Sequence, residues 1–189
     1  MTPRFLPAAG VSLFVAALCA APFALSTYGV DVLDSVGLYA LLALSLNLVL
    51  GEAGLYDMGH AAFFAVGAYT TAILTTRLGL PLLATLPAAA LAAGLFAALV
   101  ALPVLRLRGD YLLIVTVGLG EIVRIALVND VGGWTGGANG IFGIPRPVLF
   151  GTKLKTPEQL FWLIWGAVGL TVLVFRRLST SRFGRQLRA

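Results

Sequence analysis

Charge is what this chain has least of. Asp, Glu, Lys and Arg make up 11% of its 189 residues, less than half of the roughly 25% usual in soluble globular domains. Apolar residues make up 59%. A soluble fold would have to clothe its surface in Leu, Ala, Val and Phe, so composition excludes that class and points to a surface that meets lipid. The lone cysteine, Cys19, excludes an intrachain disulfide framework and a Cys-x-x-Cys metal site, and its place in an apolar run assigns it to packing. One histidine, no His-Glu-x-x-His, no Gly-x-Ser-x-Gly and no cluster of carboxylates leave little for an embedded enzyme to work with. There is no Gly-x-x-x-x-Gly-Lys-[Ser/Thr] phosphate cradle either. The chain is therefore expected to hold no metal and no cofactor, and to bind no ATP in the P-loop manner by itself.

What is present is a series of apolar runs of membrane length. They are Phe5 to Leu25, Val32 to Leu50, His60 to Thr76, Leu82 to Leu105, Tyr111 to Val128 and Leu160 to Phe175. At about 20 residues per spanning helix, these runs predict an all-α polytopic transmembrane bundle of about six spans over residues 1–175. The first run is longer than the roughly 7–15 apolar residues of a secretory signal, so an uncleaved span anchored by Arg4 is expected. Ala89, Ala93, Ala97 and Ala101 recur every fourth residue, a small-residue stripe that lets helices approach closely. The last run is short enough to stand nearly upright.

Formal charge is +5, and its distribution sets orientation. With six spans, one side carries Arg4, Arg106, Arg108, Arg176, Arg177, Arg182, Arg185 and Arg188; the other carries Arg77, Arg146, Lys153 and Lys155. The excess puts both termini in the cytoplasm. The C-terminal basic flank suits anionic lipid headgroups, and no nucleic-acid partner is expected.

Polar residues within the apolar runs are the candidate site. Asn47 is either a hydrogen-bonding link between helices or a pathway lining. The stretch from Gly51 through Gly54 and Gly59 to His60 loosens the backbone between two runs. It reads either as non-helical chain bordering a transport site or as a plain cytoplasmic turn. His60 alone reads as a satisfied polar residue. Glu121 and Arg124, three apart, share a helix face and can pair there, as a functional charge pair or as a structural one near an interface. From Asn129 to Glu158 the chain turns glycine- and proline-rich, which favours an ordered loop facing outward.

Several of these stretches resemble one family. Leu44-Ser45-Leu46-Asn47-Leu48 with Gly51, Gly59-His60-Ala61-Ala62-Phe63-Phe64 and Gly67-Ala68-Tyr69-Thr70 are similar to LivM-type permease subunits of branched-chain amino acid ABC importers. So are Arg108-Gly109-Asp110-Tyr111, Ile114-Val115-Thr116, Gly120-Glu121-Ile122-Val123-Arg124, Thr135-Gly136-Gly137, Asn139-Gly140-Ile141 and Gly143-Ile144-Pro145-Arg146-Pro147, in that order. The resemblance covers Leu44 to Ala189. One departure is Asp57, an acid where the family pattern suggests serine.

The resemblance implies an inner-membrane permease subunit that moves branched-chain amino acids or related small polar solutes by alternating access. It also implies a paralogous permease subunit, two ABC ATPase subunits that bind the ATP, and an extracytoplasmic solute-binding protein. Asn47, Gly51, Gly54, Gly59, His60, Glu121 and Arg124 would border the substrate pathway, and Thr135, Gly136, Gly137, Asn139 and Gly140 the outer loop. Residues 176–189, with Arg182, Gly184 and Arg185, resemble the start of the cytoplasmic loop that couples to the ATPase. Because that motif stops short, the chain is expected to be an N-terminal piece of a longer permease. Composition alone also permits a self-standing channel or a non-transporting membrane scaffold.

Overall fold

The computed structural model describes residues 8–52, 54, 57–104, 110–149, 152–154 and 156–181. Within them lie six α-helices: α1 (Ala8–Ala24), α2 (Thr27–Asn47), α3 (His60–Arg77), α4 (Leu82–Val104), α5 (Asp110–Val128) and α6 (Pro157–Thr180). A π-helical turn, Leu48–Glu52, carries α2 on, and a two-residue antiparallel hairpin pairs β1 (Val148–Leu149) with β2 (Thr152–Lys153) ahead of α6. Among the described residues, four stretches are long and apolar enough to cross a membrane: Thr27–Gly51, Leu82–Leu102, Asp110–Val128 and Pro157–Thr180. The fold is an all-α polytopic membrane bundle.

Packing divides the helices into two groups. In the first, α2 lies along α6, and Gly37 makes the close approach possible: a methyl there would stand 2.6 Å from Ile164 Cγ2 and 3.4 Å from the Trp165 ring. Phe14 of α1 meets Trp165 edge-on at 6.4 Å between ring centroids. In the second group, α3 packs on α4 and α5. Gly67 faces Ala93 and the Ala89 carbonyl, so the front half of the alanine stripe is helix contact. The opposite face of α4 presents Leu91, Leu95, Leu99 and Leu102, each 68% exposed or more, a lipid-facing row at helical spacing.

The buried polar side chains are Thr75, Thr85, Thr116 and Thr135. In hydrocarbon a hydroxyl needs an internal acceptor, and each of the helical ones finds one in its own helix. Thr75 Oγ1 donates to the Thr71 carbonyl at 2.7 Å, Thr85 to Leu82 at 2.7 Å and Thr116 to Leu113 at 3.0 Å. Thr70, Thr71 and Thr76 make the same back-bonds. The polar half of α3 is thereby compatible with its apolar surroundings.

Helix α6 outruns the apolar segment that announces it. Thr156 and Gln159 form a reciprocal capping box with Pro157 in the first turn, and the helix continues through Arg176 and Arg177 to Thr180. Its 24 residues make a rod of about 36 Å, longer than the roughly 30 Å hydrocarbon core. Its polar ends extend it beyond the apolar run of Leu160 to Phe175. The capping residues are polar, so apolar patterning does not count them.

Candidate functional site

The break between α2 and α3 is built from backbone contacts onto α5. Asp57 Oδ1 accepts the Gly59 N–H at 2.9 Å, an Asx turn two residues long. The neighbouring Met58 N–H donates to Thr116 Oγ1 at 3.2 Å. Gly59 is buried and tight: a methyl on it would stand 2.5 Å from the Thr116 carbonyl oxygen. Across this contact lies Gly120, where an added methyl would meet Gly59 Cα at 3.6 Å. Two glycines and a threonine thus bring the non-helical chain against α5.

His60 closes the same cluster from α3. Ser45 of α2 donates its hydroxyl proton to the Leu42 carbonyl at 2.8 Å, and its Oγ lies 2.6 Å from His60 Nε2. The other ring nitrogen, Nδ1, is buried without a hydrogen-bond partner, 3.8 Å from Asp57 Oδ2. Asp57 also borders a cleft of about 170 Å³ whose other walls include Phe63, Ala97, Ala101, Leu112 and Thr116. The back half of the alanine stripe lines this cleft.

A second, larger groove of about 360 Å³ runs between α3 and α5, with Met58, Ala61, Ala65, Gly120, Glu121 and Arg124 among its walls. Arg124 Nε donates to Glu121 Oε2 at 2.9 Å and Nη2 to Oε1 at 2.6 Å, a two-pronged pair. The side chains remain 64% and 52% exposed. Glu121 is the twelfth residue of the 19-residue α5, about 16 Å along it. An ion pair halfway along a spanning helix is expensive in lipid, so this face belongs against protein or water.

Beyond α5, the loop is organised by Asp130, which takes a left-handed backbone at φ 50°. Its Oδ1 accepts the backbone N–H groups of Thr135 at 2.7 Å and Gly136 at 3.1 Å. Thr135 shares its hydroxyl proton between Oδ1 at 3.0 Å and the Leu127 carbonyl at 2.8 Å. Chief among the causes, the Thr135 N–H holds the Asp130 carboxyl below the ordinary aspartate range. Gly136, at φ 73°, has no room for a methyl against the Gly140 carbonyl, and Gly137–Asn139 forms a 3₁₀ turn. Arg77, at the end of α3, donates to the Gly133 carbonyl at 3.1 Å and lies 5.6 Å over the Trp134 ring.

The sequence-derived candidates therefore fall into separate places. Gly59 and His60 join one buried cluster, Glu121 and Arg124 the groove beside it, and Thr135, Gly136, Gly137 and Gly140 a single loop fold, with Asn139 exposed on its turn. Asn47 ends α2 at an exposed position near Gly51, where a methyl would come within 2.9 Å of its side-chain oxygen. Gly54, at φ 65°, borders open space. Arg182, Gly184 and Arg185 lie outside the described residues. Pattern reading did not single out Ser45, Asp130 or Arg77 as site-forming. Asp57-x-Gly59 and Asp130 ahead of a glycine run are the signals that were available, each a turn-forming carboxylate.

A multi-pass helical bundle with a broken segment and a groove beside an ion pair partway along a membrane-length helix fits, as a class, a membrane permease. Residues 28–189 match the family model described as the permease component of the branched-chain amino acid transport system, and the chain belongs to that family. It is 50% identical over 153 residues to the high-affinity branched-chain amino acid transport system permease protein LivM of Escherichia coli (strain K12), covering 80% of this chain and 36% of that protein. To the protein of the same description in Salmonella typhimurium (strain LT2) it is 48% identical over 134 residues, covering 71% and 31%. The chain thus spans about a third of the length of these curated relatives. No solved structure matches it.

Proposed function

We propose that this chain forms part of the membrane permease of an ATP-driven importer for branched-chain amino acids or related small polar solutes, working by alternating access. The observation that carries the reading is the α3–α5 groove, which offers a complete ion pair to a solute halfway along a spanning helix. A sealed scaffold has no use for charge at that depth. Non-helical residues 57–59 ahead of α3, with Asp57 on the smaller cleft, support the same reading, because non-helical backbone inside a membrane survives where it borders a cavity.

In this reading the assembly comprises a paralogous permease subunit, two ABC ATPase subunits and an extracytoplasmic solute-binding protein. ATP is bound by the ATPase subunits, and this chain holds no cofactor of its own. The Thr135 to Gly140 loop faces the binding protein from outside, both termini lie in the cytoplasm, and Arg182, Gly184 and Arg185 face the ATPases. The relatives' names, transport permeases for branched-chain amino acids, support this choice of substrate.

Uptake of labelled leucine into proteoliposomes holding the full assembly tests it. Uptake that needs internal ATP and disappears when this chain is omitted is expected; ATP-independent flux through the chain alone would make it a channel instead. Orientation is tested with a cysteine at Gly140 in a Cys19→Ser background, which should react with an impermeant reagent from outside. Reaction only from the cytoplasm would invert the topology.

A further inference from the structure

We infer that Glu121 and Arg124 together read the two charges of a zwitterionic solute, so that the α3–α5 groove selects α-amino acids over urea, amides and singly charged analogues. This rests on the importer reading and deepens it. The pair uses Arg124 Nε and Nη2 against the two Glu121 oxygens, which leaves the Arg124 Nη1 donors open to a carboxylate. Each Glu121 oxygen keeps a lone pair for an ammonium group. Because the two side chains already touch, one amino acid, whose own charges lie only a few bonds apart, can bridge both.

The rest of the groove fits the remaining part of such a solute. Ala61, Ala65 and Gly120 leave headroom beside the pair, while Val117 and Leu127 offer an apolar wall to an aliphatic side chain. Its volume of about 360 Å³ is near the lower end of the range for small-molecule sites, about 300–1,000 Å³. An amine or an acid alone would set an unmatched charge against the pair at membrane depth. A neutral amide would gain little over water from either member. Only a solute with both signs, closely spaced, matches both ends.

The test uses the permease–ATPase complex in nanodiscs without binding protein, so that selection by that protein does not enter, and measures binding of labelled leucine. Competition by 3-methylbutylamine, which lacks the carboxylate, by 4-methylpentanoate, which lacks the ammonium, and by urea should fail at 100-fold excess. Glu121→Gln and Arg124→Gln should each weaken leucine binding at least tenfold. The double variant, with no lone charge left behind, should melt at the temperature of the unaltered complex and still lose leucine binding. Leucine binding by the double variant within twofold of the original would overturn the inference, as would effective competition by either singly charged analogue. Failure of the unaltered complex to bind leucine, although the full assembly imports it, would overturn the inference while leaving the importer reading intact. If the full assembly imports no leucine with ATP, the importer reading falls and takes this inference with it.

Discussion

His60 Nε2 stands 2.6 Å from Ser45 Oγ, and this contact ties the first turn of α3 to the last turns of α2. Ser45 Oγ also donates to the Leu42 carbonyl at 2.8 Å, so the backbone of α2 holds the hydroxyl in place beside the ring. Chain that leaves the helix at Glu52 is brought back into register at His60.

Ser45→Ala removes that partner and leaves His60 Nε2 unmatched in a half-buried place. A loss of about 1–3 kcal/mol in stability is expected, the cost of an unmet buried polar group. Reversible unfolding in mixed detergent micelles would measure it, and an unchanged midpoint would show that the contact does not hold the helices.

Gly59→Ala places a methyl 2.5 Å from a backbone carbonyl that cannot swing aside, and about 1–3 kcal/mol of overpacking is expected. Gly118→Ala is the internal control, since nothing lies within 4 Å of that site. On a helix it should be neutral or stabilise by up to about 1 kcal/mol. Equal melting shifts for the two variants would contradict the packing described for the break.

Gly37→Ala collides with Ile164 Cγ2 at the α2–α6 contact. Ile164→Leu removes that branch at nearly constant volume. The single glycine change is expected to cost about 1–3 kcal/mol, and the pair of changes to recover much of it. Strict additivity of the two effects would show that the residues do not meet.

The loop after α5 should loosen in acid. The Asp130 carboxyl lies below its unfolded value in the folded loop, chiefly through the Thr135 N–H. Its contribution is therefore complete above the unfolded value of about 3.9 and is lost as pH falls through the lowered folded one. With Trp162 and Trp165 replaced by Phe, the emission of Trp134 should report the transition. Asp130→Asn should remove that pH dependence; a transition of the same size in the variant would assign it to another group.

Legibility in the sequence followed the physics of each feature. Apolar run length is local, so the bodies of α4 and α5 could be read directly. The true start of α6 could not, because Thr156, Pro157 and Gln159 act through capping geometry while looking polar. Glu121 and Arg124 were legible as a pair from their spacing alone. Ser45 and His60 were not, since the loop between them had first to fold back along α5. Nor could glycines of one short stretch be ranked: Gly59 is pressed on a carbonyl and Gly54 touches nothing, a difference made wholly by the neighbouring helix.

Helices α3 and α5 run in the same direction and are joined at two places, Met58 to Thr116 at 3.2 Å and Arg77 to Gly133, beyond the end of α5, at 3.1 Å. Sliding one helix along the other would break both contacts. The second contact is anchored in the loop that Asp130 folds, which ties that loop to the end of α3. The full length of α3 separates that loop from His60 and Ser45, the joint between the two helix groups.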